Sequence, residues 1–168
     1  NIQKGLAAVD RIEAIQFANN TITDAPDARV LTNFDKAIEF RQVSFQYANQ
    51  SGELVLDQIN LTIPKGKIIA LVGTSGAGKT TLVDLLPRFY DPQHGSILLD
   101  GVDIRAYTLS SLRALMGIVS QHPVLFNDSI YNNITFGMEG VDADKVIAAA
   151  KVANAHDFIM ATEGDYQT

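Results

Sequence analysis

This sequence predicts an α/β fold, on three observations. Apolar residues alternate with polar ones over 37–47 and 59–63. An unbroken apolar run, Ile68 to Val72, leads straight into the glycine-rich stretch GTSGAGKTT, Gly73 to Thr81. Apolar residues then recur at helical spacing directly after that stretch and again beyond Asp142. Period-two alternation marks strands covered on one face, an unbroken run marks a strand covered on both, and 3.6 periodicity marks helices that bury one side.

In chain order, Leu6, Val9 and Ile12 to Ile15 recur at helical spacing, and Asn19 to Ala28 then turns polar around Pro26, so residues 1–34 read as a helix tail and linker. From Ala37 to Tyr47, Ile38 and Phe40 share one face. Val43, Phe45 and Tyr47 resume it after an extra residue, as a bulge or tight turn would produce. Ile59, Leu61 and Ile63 form a second alternating strand ending at the Pro64-Lys65-Gly66 turn, and Lys67 to Val72 is a strand buried on both faces. Leu82, Leu85 and Leu86 make a helix that Pro87 disrupts.

Ser96 to Leu99 and Val102 to Ile104 flank Asp100-Gly101, a hairpin signal. Leu109 to Leu115 reads as a short helix capped by Thr108, and Met116 to Ser120 as another buried strand. Asp128 is positioned to cap a helix through Ile134, and Asp142 a longer one carrying Val146, Ile147, Ala150 and Phe158.

The chain has 168 residues, 46% of them hydrophobic, which suits one domain with its own core. A formal charge of -6 disfavours a nucleic-acid-binding surface. The absence of cysteine excludes disulfides, thiolate metal sites and a cysteine nucleophile. No apolar run approaches the roughly 18 residues of a membrane span. No charged-then-apolar signal pattern stands at the start, and the opening on Asn1 rather than Met suggests a piece of something longer. His94, His122 and His156 are each expected to be solvated.

Glycine buries no side chain and loses the most backbone entropy on folding, so three of them in GTSGAGKTT imply that the bare backbone is in use. Gly73-x-x-x-x-Gly78-Lys79-Thr80 fits the phosphate-binding loop, and its setting between strand and helix is the context that motif needs. Amides of Ser75, Gly76, Ala77, Gly78, Lys79 and Thr80 would converge on a β-phosphate, with Gly73 and Thr74 opening the loop and the following helix adding its positive end. Lys79 would reach the β- and γ-phosphates, Thr80 would give a hydroxyl oxygen to Mg²⁺, and Thr81 would bond the α-phosphate.

Such a loop alone does not separate a kinase from a GTPase or a motor. Asp100, closing Ser96 to Leu99, is a weak Mg²⁺ ligand candidate, and no guanine-reading Asn-Lys-x-Asp occurs.

From Ile38 to Thr168 the chain resembles the nucleotide-binding domain of ABC exporters, a phosphate-loop NTPase with a RecA-like core and an antiparallel β subdomain. The likeness runs through IEFRQVSFQY, GTSGAGKTT, RFYDPQHGSILLDG, the Leu109-to-Arg113 helix and VSQHPVLFNDSIYNNI. It is closest to the homodimeric bacterial lipid-flippase and multidrug type. The resemblance implies boundaries: the tail of a last membrane helix and linker over 1–34, and the front of a nucleotide-binding domain over 35–168. Within the latter fall the phosphate loop at 73–80, a glutamine loop around 121, and the start of a helical subdomain over about 128–168.

The resemblance also implies that Tyr47 stacks on adenine and that Gln121 reaches Mg²⁺ and the attacking water. It implies a segment, His122 to Ile134, that docks on membrane helices, with Val124, Leu125 and Phe126 as an exposed apolar patch or as part of the domain's own core. The implied cofactors are ATP and Mg²⁺. The implied partners are a transmembrane domain of the same polypeptide and a second copy of the nucleotide-binding domain, at the cytoplasmic face of the inner membrane. The implied activity is ATP hydrolysis that drives export of a lipid, drug or other amphipathic molecule.

The chain departs from that pattern in containing no LSGGQ and no apolar strand ending in Asp-Glu, so by itself it is expected to bind ATP without hydrolysing it. Two other readings stay open: a self-contained small kinase or NTPase with Asp100 on Mg²⁺, and a soluble ABC ATPase with no membrane partner. Arg88, Arg105 and Arg113 are scattered rather than gathered into the arginine-rich lid a kinase would carry.

Overall fold

The computed structural model describes Val9, Ile12, Glu13, Gln16 and residues 21–48, 52–121 and 123–168. The chain forms two compact units, residues 1–117 and 118–168. Of the expected N-terminal helix, Val9, Ile12, Glu13 and Gln16 are helical and exposed; the other residues before Thr21 lie outside the described ones, as does His122.

The first unit is built on a four-stranded antiparallel sheet in the order β2-β1-β3-β4, with β1 at Ala37–Phe45, β2 at Leu56–Pro64, β3 at His94–Leu99 and β4 at Val102–Asp103. The expected extra residue in β1 is a bulge. Phe40 pairs with Leu61 and Val43 with Ile59, and Gln42 takes φ 51° between them. Apolar parity thereby switches from even to odd positions, so Phe40, Val43 and Phe45 are all buried. Against them pack Leu82 and Leu85, Ile97 and Leu99, and Leu112, each fully buried aliphatic contributing about 1.5–3 kcal/mol.

Asp100 and Gly101 form the expected two-residue hairpin turn, both at positive φ (52° and 86°), as a type I′ turn demands. Helix α1 spans Lys79–Asp84, and α2 spans Leu109–Ala114 with Thr108 as its cap, the hydroxyl accepting from the Ser111 amide. Residues 24–31 are stitched to the start of α2. The Arg29 amide donates to the Ala106 carbonyl at 2.8 Å, the Leu109 amide to Asp24 at 2.7 Å, and the Leu31 amide to the Ser111 hydroxyl at 2.9 Å.

Neither 67–72 nor 116–120 is the expected strand; both runs are irregular, with Ile68 99%, Val72 93% and Val119 98% exposed. A parallel strand takes its ladder partners from distant sequence, and among the described residues no strand pairs with either run.

The second unit holds α3 (Ile130–Ile134), α4 (Ala143–Val152) and α5 (His156–Met160) around Val146, Ala150, Ile159 and Tyr166. The cap of α3 is Ser129, which accepts from the Asn132 amide; the Asp128 carboxylate instead binds the Ser129 amide and the Asn132 side chain. Those two donors, the Asn132 amide group first, hold the Asp128 carboxyl below its ordinary range. Asp142 caps α4 as expected, but α4 stops at Val152, Asn154 turns left-handed at φ 57°, and Phe158 falls on the separate α5 with 68% exposure. His156, expected to be solvated, is half-buried, and its Nδ1 stands 2.9 Å from the Tyr166 hydroxyl.

Candidate functional site: a glycine loop tied to an aromatic platform

The loop between the irregular run at 67–72 and α1 contains two left-handed glycines, Gly76 and Gly78, both at φ 79°. Gly78 is required twice over. It forms the αL entry to α1, and a Cβ there would stand 2.8 Å from Leu56 Cδ2 and 2.9 Å from the Val55 carbonyl. The Ala77 amide closes a turn onto the Thr74 carbonyl at 3.3 Å. Lys79 folds back over this loop, its Nζ donating to the carbonyls of Gly73 at 2.9 Å and Thr74 at 2.6 Å. The ammonium is thus fixed by backbone at the mouth of the loop, while Ser75 and Thr80 are exposed. A cavity of about 350 Å³ runs along the loop, walled by Ile59, Leu71, Ala77, Gly78 and Leu82.

Thr81 differs from its neighbour Thr80 in being buried, and its Oγ1 lies 3.0 Å from the hydroxyl of Tyr47. This bond joins a residue two positions beyond β1 to the first turn of α1. The Tyr47 ring stands edge-on to Phe45, with centroids 4.9 Å apart, and edge-on to Tyr90 at 5.2 Å. The expected residues Tyr47 and Gly73 to Thr81 are therefore gathered in the first unit. Gln121 belongs to the second, where it is exposed at a bend.

In the second unit Val124, Leu125 and Phe126 are exposed, and Phe126 stacks on Phe136 with centroids 4.2 Å apart. Asn133 fixes that loop: its Oδ1 accepts the Phe126 amide, and its Nδ2 donates to the carbonyls of Phe126, Asp128 and Ser129.

Asp100 is engaged elsewhere than at the loop. Its carboxylate accepts from the amides of Asp35 at 2.5 Å, Lys36 at 2.7 Å and Ala37 at 2.9 Å. The Asp35 amide leads in holding the carboxyl below its ordinary range, with the Ala37 and Lys36 amides adding to it. A carboxylate pinned by three amides closes a turn and has little capacity left for a metal.

Sequence reasoning missed the segment after α1. Arg88, at φ 52° and buried, chelates Asp91 through Nε and Nη2, both at 2.9 Å. Arg113 joins it from α2, donating to the carbonyls of Pro87 and Arg88 at 2.8 and 3.0 Å. Nearby, Asp103 pairs with Arg105; burial pushes its carboxyl up, but the Arg105 guanidinium and amide outweigh that and hold it below the ordinary range. The signal available was the run Arg-Phe-Tyr-Asp-Pro directly behind the loop helix.

With that geometry in hand, the sequence model of the ABC transporter family matches residues 56–165. The chain is 47% identical over 167 residues to an ATP-dependent lipid A-core flippase of Syntrophus aciditrophicus, covering 99% of this chain and 27% of the relative. It is 41% identical to a putative multidrug export ATP-binding/permease protein of Bacillus subtilis, covering 99% of this chain and 29% of that protein. Among solved structures, a bacterial Atm1-family ABC exporter with ATP bound superposes with a TM-score of 0.85 at 40% identity, covering 99% of this chain and 29% of that one. The chain thus spans between a quarter and a third of the length of these relatives.

Proposed function

The chain belongs to the ABC transporter family, and from that premise we propose that it binds ATP with Mg²⁺ at the loop Gly73 to Thr81. Lys79 carries the charge toward the β- and γ-phosphates, Thr80 offers its hydroxyl to Mg²⁺, Thr81 lies toward the α-phosphate, and Tyr47 stacks on the base. Gln121 reaches the metal and the attacking water. In a protein of the relatives' length this domain hydrolyses ATP against a second copy of itself. It then drives export of an amphipathic substrate through a transmembrane domain, working at the cytoplasmic face of the membrane.

The observation that carries this reading is the Lys79 ammonium held over the carbonyls of Gly73 and Thr74, at the mouth of a loop whose two left-handed glycines leave the backbone bare. Phosphoryl transfer to water relies on positioning and charge stabilisation, and an ammonium held at a glycine loop supports a role in both. The rival reading, a small kinase with Asp100 on Mg²⁺, is disfavoured because that carboxylate already accepts three backbone amides.

The test is calorimetric titration of the folded chain with MgATP. Lys79→Ala removes charge-assisted bonds worth about 1.5–3 kcal/mol each, so affinity should fall at least about tenfold. Asp100→Ala should leave it unchanged. Equal affinity for wild type and Lys79→Ala rejects the site.

A further inference from the structure

The run Arg88 to Gln93 contributes nothing to phosphate chemistry, yet it is fastened at both ends and in its middle. The bidentate Arg88–Asp91 pair closes it internally, with the Arg88 side chain only 5% exposed. Arg113 pins the Arg88 carbonyl and that of Pro87 just before it, and lies over the Phe89 ring, 5.5 Å from the centroid. At the far end, the Gln93 side chain and the Gln46 backbone exchange two hydrogen bonds, each 2.9 Å, and the Gln93 amide donates to the Ser44 carbonyl at 3.1 Å. Gln46 immediately precedes Tyr47.

Between these anchors the loop presents Tyr90. Its ring meets Tyr47 at 5.2 Å with an interplanar angle of 87°, and meets Phe45 at 5.5 Å. An exposed tyrosine on a chain segment beyond the end of a strand ordinarily samples several rotamers. Tyr47 is restrained instead from three directions: by Phe45 and Tyr90, both edge-on, and by its hydroxyl bond to Thr81. A base gains more net stacking energy on a ring whose plane is already fixed, because freezing a free ring costs conformational entropy at the moment of binding.

Resting on the ATP-binding reading above, we propose that the loop Arg88 to Gln93 is the support of the base-stacking ring. Tyr90 acts as the positioning residue that holds the plane of Tyr47, and the Arg88–Asp91 pair and Gln93 hold Tyr90 in place. Tyr90 touches neither phosphate nor metal in this scheme; it acts through Tyr47. Its effect is therefore on recognition of the base and not of the phosphate chain.

The decisive experiment compares two ligands on the whole 168-residue chain, MgATP and Mg-tripolyphosphate, the second carrying the phosphates without a base. Tyr90→Leu should weaken MgATP by about three- to tenfold, the range expected from losing one aromatic pair. Tripolyphosphate affinity should stay within about twofold, since no phosphate contact has changed. Tyr90→Phe keeps the ring and should restore ATP affinity, which also guards against a folding artefact in Tyr90→Leu. Equal weakening of both ligands would make Tyr90 a general structural prop and overturn the proposal. So would unchanged ATP affinity in Tyr90→Leu where Tyr47→Leu loses it. If Tyr47→Leu itself binds ATP like wild type, the base-stacking reading fails at its root, and the supporting role of Tyr90 fails with it.

Discussion

Asp100 and Ala37 exchange two hydrogen bonds: the Ala37 amide donates to the Asp100 carboxylate at 2.9 Å, and the Asp100 amide returns to the Ala37 carbonyl at 3.0 Å. Together with the amides of Asp35 and Lys36, this fastens the start of β1 to the β3–β4 turn. Asp100→Asn should lower the Tm by a few degrees at pH 7 without altering nucleotide affinity. The carboxyl sits below its ordinary value of 3.8, chiefly through the Asp35 amide. Its stabilisation is therefore complete above the unfolded pKa and fades as pH falls through the folded one. Thermal melts below about pH 4 should show the wild type losing its advantage over Asp100→Asn. A constant gap across that range would contradict the role given to the carboxylate.

The bulge in β1 depends on Gly95. It sits at φ 80°, and a Cβ there would stand 2.3 Å from the Gln42 carbonyl oxygen and 2.4 Å from that of Arg41. Both obstacles are backbone, so nothing flexible can move aside. Gly95→Ala should destabilise the first unit by at least about 2 kcal/mol, combining backbone strain with a forced shift of the ladder. Urea titration followed by circular dichroism measures it, and a loss under half that size would mean the bulge is more compliant than its geometry suggests.

Asp91→Ala leaves the Arg88 guanidinium buried without its acceptor, and Arg88 Nη1 already has no partner among the described residues. Breaking a buried pair from one side costs about 3–5 kcal/mol; because Asp91 is 28% exposed, the expected loss is nearer about 2–3 kcal/mol. Replacing both residues, Arg88→Met with Asp91→Ala, should recover part of it. Chemical denaturation of the wild type and the two variants distinguishes these outcomes.

The runs at 67–72 and 116–120 leave Ile68, Val72 and Val119 almost wholly exposed. Extended apolar backbone without ladder partners is a template for pairing with another chain. The isolated chain should therefore associate as its concentration rises, and Ile68→Lys with Val119→Lys should reduce that association. Light scattering across a concentration series reads the effect; identical scattering would remove these runs as its cause.

Those same runs mark the limit of what the sequence discloses. Alternation located β1 and β2, the Asp-Gly pair located the hairpin, and Thr108 and Asp142 marked helix starts, because each of these is decided within a few residues. An apolar run states only that a strand would be buried; the neighbour that pairs with it lies far away in sequence, and no local signal supplies it. The shift from Asp128 to Ser129 as cap is a contest between adjacent oxygens that spacing cannot resolve. The glycine loop was legible because its three glycines and the lysine stand at fixed spacing within nine residues. Tyr90 was not, since its importance comes from a perpendicular contact with a ring distant in the chain.

The extra residue at Gln42 has a consequence for inheritance as well as for folding. Because it flips which positions face inward, it sets the phase of the rest of that strand and of the tyrosine two residues beyond its end. Deleting one residue there would leave a strand of regular pleat and nearly unchanged composition. Phe45 and Tyr47 would then face the opposite side of the sheet, away from Thr81. A lineage could exchange many side chains along this strand and keep the tyrosine against Thr81, but it could not change the strand's length by one.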